Sequence, residues 1–85
     1  MAVQFREKAL TAYETMPSQQ KNKVSQVIEQ LDIRNTQDLN PYILKNQDLE
    51  MWVVRVDDNV RLLFTEKDRD FLIVDIIDRK VGNGG

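Results

Sequence analysis

Arginine is the side chain best placed to do chemistry in this sequence, because the groups that most often carry it are missing. The 85 residues contain no histidine and no cysteine. That removes the ordinary neutral-pH acid–base group, the commonest metal ligand and any thiolate. No metal or other cofactor is therefore expected, and catalysis would fall to Arg, Lys, Tyr, Asp, Glu, Ser or Thr. Arginine stays protonated and can grip two phosphate oxygens at once. It clamps and stabilises anionic charge and serves poorly as a base. Arg55, Arg61 and Arg79 each stand at one end of an apolar run. By strand alternation Arg55 shares its side with Met51 and Val53, and it meets Arg61 across a hairpin if the two runs pair. Asp75 and Asp78 offer carboxylates, but a carboxylate beside Arg79 is held ionised and loses basicity.

These residues need a scaffold, and the hydrophobic period supplies one. Ala2 to Phe5 reads as a short strand. Phe5, Ala9, Ala12, Tyr13 and Met16 then recur at helical spacing. Pro17, which cannot donate an interior helix hydrogen bond, separates this helix from a second one over about Ser18–Ile33. Val24, Val27, Ile28 and Leu31 form the apolar stripe of the second helix. The polar stretch from Asn35 to Asn40, followed by Pro41, reads as a loop. From Leu49 to Val56 the residues are strand formers. Asp57-Asp58-Asn59 has turn chemistry, and Val60–Thr65 returns as the second arm of a hairpin. Glu66–Asp70 is a second charged turn. Phe71–Ile77 is almost wholly apolar, as suits an inner strand. The expected fold is α+β: a short N-terminal strand, a two-helix hairpin, then a three-stranded antiparallel meander with the helices on one face. One domain spans 1–81, with 82–85 as a flexible tail.

Composition narrows the function. Charged residues make up 31% and hydrophobic residues 41%, with three Gly and two Pro, as in a soluble globular domain. No run approaches the ~20 apolar residues of a membrane-spanning helix, so a cytoplasmic protein without a membrane partner is expected. Five cations balance five anions in residues 1–44, and seven face nine in residues 45–85. Neither half is a basic tail. Any contact with nucleic acid must come from placement within the fold.

In its order of elements the chain resembles the RelE/ParE superfamily of bacterial toxins from type II toxin–antitoxin systems. Val3-Gln4-Phe5 followed by Lys8-Ala9-Leu10 looks like the family's first strand and helix. Met16-Pro17 looks like its inter-helix joint, and Leu44-Lys45-Asn46 like the segment before its second strand. Trp52 through Phe64, with Arg55 and Arg61 flanking the turn, is similar to its paired-arginine hairpin. Ile76 to Lys80 looks like the final strand and terminal arginine. The resemblance covers about residues 2–80.

The resemblance implies a toxin, with a cognate antitoxin protein as partner and a homodimer as one expected assembly. RelE-like members are ribosome-dependent mRNA endonucleases, which need no metal; ParE-like members inhibit DNA gyrase without chemistry. A third option is an inactive member that only binds its antitoxin. For the endonuclease, with the ribosome and mRNA as partners, the match implies catalytic roles for Arg61 and Arg79. It implies contacts to the RNA backbone from Arg55, Lys45 and Lys80. The catalytic set is reduced. Lysines frequent on the family's second strand are replaced by Met51 and Val53, and a histidine before the terminal arginine by Asp78. The family's C-terminal tyrosine has no counterpart. Outside the family match, the simplest expectation is that Arg55 and Arg61 pair with Asp57, Asp58 or Asp75. Lys21 and Lys23 then lie on a solvated helix face. Trp52 and Tyr13 are packed, and no role is assigned to Tyr42.

Overall fold

The computed structural model describes residues 3–45 and 50–79. The chain forms β1 (Val3–Phe5), α1 (Glu7–Glu14), α2 (Ser18–Asp32), a 3-10 turn (Gln37–Leu39), β2 (Tyr42–Lys45), β3 (Glu50–Arg55), β4 (Val60–Lys67) and β5 (Asp70–Asp78). The five strands make one sheet in the order β1-β5-β4-β3-β2. β1 runs parallel to β5, and the other neighbours are antiparallel.

Both helices form where the apolar period places them. Glu7 in the first turn of α1 suits the positive end of its dipole. Pro17 is the N-cap of α2, where its missing N–H is no loss. α2 ends with Arg34 in the left-handed region at φ 61°. Two hydrogen bonds close that end, Arg34 N–H to the Leu31 carbonyl and Asn35 N–H to the Gln30 carbonyl. This is a Schellman cap with arginine where glycine is usual. The Arg34 guanidinium stacks on Phe71 at 4.8 Å and donates to the Arg69 carbonyl, so its side chain ties the helix end to the sheet.

One face of the sheet carries the helices. Val54, Val60, Leu62, Phe64, Phe71, Ile73 and Ile76 of the sheet pack with Val3, Ala9, Val24, Val27 and Leu31. The apolar run of β5 lacks strict alternation because it carries a bulge. Leu63 pairs with Asp75 but Phe64 with Ile73, leaving Val74 as the extra residue. That one-residue shift turns Phe71, Ile73 and Ile76 all toward the helices, and β5 is an inner strand between β1 and β4.

Two expectations need correction. The meander has four strands rather than three, because Tyr42–Lys45 is not part of a connection. It pairs with β3 from Tyr42↔Val53 to Lys45↔Glu50. Pro41 is compatible with this strand since it stands just before it. The second charged turn is also shorter than read: β4 continues to Lys67, and the chain reverses on Asp68 and Arg69, both at positive φ. A two-residue turn of that handedness matches the twist of the strands it joins. The expected tail at 82–85 lies outside the described residues. None of the described helices is long and apolar enough to cross a membrane.

Candidate functional site

The face of the sheet opposite the helices carries the arginines. Arg55 and Arg61 are direct cross-strand partners, and Arg61 in turn pairs with Ile77 of β5. The same side of the sheet presents Tyr42, Leu44, Met51, Val53, Leu63 and Asp75. Val53 is only 3% exposed although no helix covers it, since Tyr42 and Leu63 flank it in register. The face is therefore apolar at its centre and cationic at the end where β3 turns into β4.

The turn between the arginines is held by Asp57. Its Oδ1 accepts the N–H of Asn59 and of Val60, both at 2.8 Å. Its Oδ2 lies 3.5 Å from Lys23 Nζ of α2. The Asn59 N–H is the main reason that the Asp57 carboxyl titrates below its ordinary value; burial opposes this, and the Val60 N–H and Lys23 add to it. Arg61 bends back over this turn. Its Nη1 donates to the Asp57 carbonyl at 2.7 Å and to the Val60 carbonyl at 3.2 Å. Among the described residues no protein group takes its Nε–H or Nη2, so the side-on edge of the guanidinium stays available to an anion. Arg79 follows β5 directly, and its N–H bonds the Asn59 carbonyl at 2.9 Å. All three arginines thus border one turn.

Two carboxylates that could have neutralised them are committed elsewhere. Asp57 takes backbone N–H groups and Lys23. Asp75 takes Lys8 at 3.1 Å and the Ile76 N–H at 2.8 Å. Asp78 pairs in register with Val60, on the helix side of the sheet. The simple expectation that Arg55 and Arg61 pair with nearby aspartates is not met among the described residues. Lys23 is not merely solvated, and Lys21 lies over the Tyr13 ring at 5.2 Å. Tyr13 is packed as expected, with its hydroxyl 2.6 Å from Ser25 Oγ, and Trp52 is half-buried against the core.

The two lysines fall differently. Lys45 is exposed but pairs with Glu50. Five residues separate Glu50 from Arg55 along β3, about 17 Å of strand. Lys45 also alternates with Leu44, so it lies on the opposite face from Arg55 and Arg61. The structure does not bring it to the arginines. Lys80 lies outside the described residues. Tyr42, to which the sequence assigned no role, is half exposed on the arginine face and lines a groove with Arg55, Leu39 and Asn40. Its signal was hidden because the strand that presents it is exposed on both faces and shows no alternation. Among the described residues no group of three or more acidic side chains is arranged to hold a metal ion.

No protein-family model matches the chain, and no curated protein matches it either. Solved structures do. The RelE of an archaeal RelE–RelB complex from Pyrococcus horikoshii OT3 superposes with a TM-score of 0.71 at 16% identity, over 93% of this chain and 97% of that one. A YoeB/ParE toxin from Agrobacterium tumefaciens gives 0.76 at 14% identity, over 92% and 98%. The YoeB dimer from Staphylococcus aureus gives 0.72 at 18% identity, over 91% and 94%. Identity this low speaks to architecture alone, and across nine-tenths of its length the architecture of this chain is the RelE/ParE toxin fold.

Proposed function

We propose that the chain is the toxin of a type II toxin–antitoxin pair, a RelE-like mRNA endonuclease acting on the ribosome with a reduced catalytic set and neutralised by an antitoxin protein. The observation that carries this is the Arg55–Arg61 pair. Like charges directly opposite on a sheet destabilise it, and neither Asp57 nor Asp75, each held by a lysine, relieves this pair. Such an arrangement is explained by an anion that arrives from outside. RNA supplies a row of them.

In this scheme Arg61 holds the scissile phosphate with its Nε–H and Nη2 edge, while its Nη1 stays fixed on the turn carbonyls. Being fixed beforehand, it stabilises the extra charge of the phosphorane without reorganising. Arg79 stands beside the same turn and supports the leaving oxygen. Arg55 holds the neighbouring phosphate. Tyr42 is a stacking surface for a base on the same face, a contact worth about 1–3 kcal/mol in single-strand binding proteins. Lys80 is assigned to the RNA backbone farther along, and Lys45, on the opposite face of the sheet, takes no part in this track. The neutralising partner is suggested by the RelE–RelB complex from Pyrococcus horikoshii.

The test is primer extension on total mRNA after induction in bacteria, comparing wild type with Arg61→Ala. Discrete cleavage within codons should appear for the wild type and fall about 10²–10³-fold in the variant, as for loss of an oxyanion donor. Cleavage that survives Arg61→Ala would remove that residue from the mechanism. A DNA-damage response with intact mRNA would favour the gyrase-inhibiting alternative, and no growth effect an inactive antitoxin-binding protein.

A further inference from the structure

The far end of β4, away from the arginines and on the helix-bearing face, holds a separate pocket. It measures about 100 Å³ and is lined by Trp52, Phe64, Phe71, Pro41, Thr36 and Glu66. A single water requires only ~10–15 Å³ by such a measure, so the space admits a small planar group. Phe64 and Phe71 form the floor, edge to face with centroids 5.3 Å apart, and both are buried. Trp52 stands beside them as the cross-strand partner of Phe64. Glu66 pairs in register with Phe71 and is exposed at the rim. Among the described residues nothing pairs with its carboxylate.

Aromatic faces attract cations, and a carboxylate on the same wall adds a full opposite charge. This cluster already holds one cation of its own, since Arg34 stacks on Phe71. Among the described residues no ion pair joins Arg34 to Glu66; the Arg34 guanidinium donates to the Arg69 carbonyl instead. We propose that the pocket receives the arginine side chain of a protein partner, its guanidinium set against Trp52 and hydrogen-bonded to Glu66. Arginine suits the space better than lysine. Its head is planar, more weakly hydrated and shaped to meet a carboxylate with two parallel N–H bonds. A purely apolar side chain would leave Glu66 without a partner. The site uses none of the open-face arginines and does not depend on what they do.

Trp52 is the only tryptophan, so its fluorescence reports this pocket alone. N-acetylarginine amide, titrated into the millimolar range, should shift Trp52 emission saturably. N-acetylcitrulline amide, its uncharged isostere, and N-acetylleucine amide should bind about tenfold more weakly or worse, given the loss of both charge and cation–π attraction. Glu66→Gln, at an exposed position and checked for folding by circular dichroism, should reduce the arginine probe to the level of citrulline. Equal binding of citrulline, tighter binding of leucine, no saturable shift, or an unaltered response in a folded Glu66→Gln protein would each overturn the proposal.

Discussion

Removing the Asp57 carboxylate should unlock the turn on which Arg61 rests. The side chain satisfies two backbone N–H groups at 2.8 Å and reaches Lys23 at 3.5 Å. Hydrogen bonds to charged groups contribute about 1.5–3 kcal/mol when well buried. At this partly exposed turn, about 2 kcal/mol for the pair is a fair discount. The Lys23 bridge, between side chains 49% and 21% exposed, adds at most about 0.5 kcal/mol. Asp57→Ala should then lower the melting temperature by about 8–20 °C, at roughly 4–8 °C per kcal/mol for a domain this small. Asp57→Asn keeps an acceptor for the turn and should lose about half as much. Lys23→Met should lose least of the three. The pH dependence has a definite sign. The carboxyl titrates below its unfolded value of 3.8, so its contribution is fully present above that pH and disappears as pH falls through the lower folded value. The stability gap between wild type and Asp57→Asn should therefore close in strong acid. Urea titrations followed by Trp52 fluorescence measure all of this. A loss below about 0.5 kcal/mol for Asp57→Ala, the range of an ordinary surface substitution, would refute the reasoning that this carboxylate organises the turn.

Other substitutions separate stability from function. Arg55→Glu should convert a repulsive cross-strand pair into an attractive one, raising stability by about 0.5–1 kcal/mol while abolishing mRNA cleavage; chemical denaturation and primer extension read the two effects. Tyr42→Ala should cost about 1 kcal/mol of stability by uncovering Val53 and weaken binding of single-stranded RNA by about 1–3 kcal/mol, measured by fluorescence anisotropy with a labelled oligonucleotide. Leu62→Ala, at a position with no exposure, should cost about 2–5 kcal/mol by the same urea titration.

The parts of the fold that rest on a one-sided apolar period are legible in the sequence. Val24, Val27 and Leu31 recur at helical spacing and all prove buried, because a helix has only one face to offer the sheet. The Arg55–Arg61 register follows from a short turn whose chemistry Asp57 and Asn59 announce. β2 escapes notice because Tyr42, Ile43 and Leu44 lie on an edge strand exposed on both faces, so no alternation marks it. The β5 bulge is equally hidden, since its effect depends on the partner strand. The roles of Lys23 and Asp75 are out of reach for another reason. Lys23–Asp57 joins α2 to the β3–β4 turn and Lys8–Asp75 joins α1 to β5, and no local pattern encodes which far charge a side chain will meet.

The parallel seam between β1 and β5 has a consequence for how the protein is made. The Gln4 amide donates to the Asp70 carboxylate 66 residues later, so the first strand cannot dock until the last has been synthesised. At about 5–20 residues per second, the N-terminal strand waits roughly 3–13 s for its neighbour to emerge. Until then the paired helices have no β5 to cover, and their apolar stripes remain open to other proteins. Assembly thereby waits on β5: a nascent fragment that lacks it has no finished sheet.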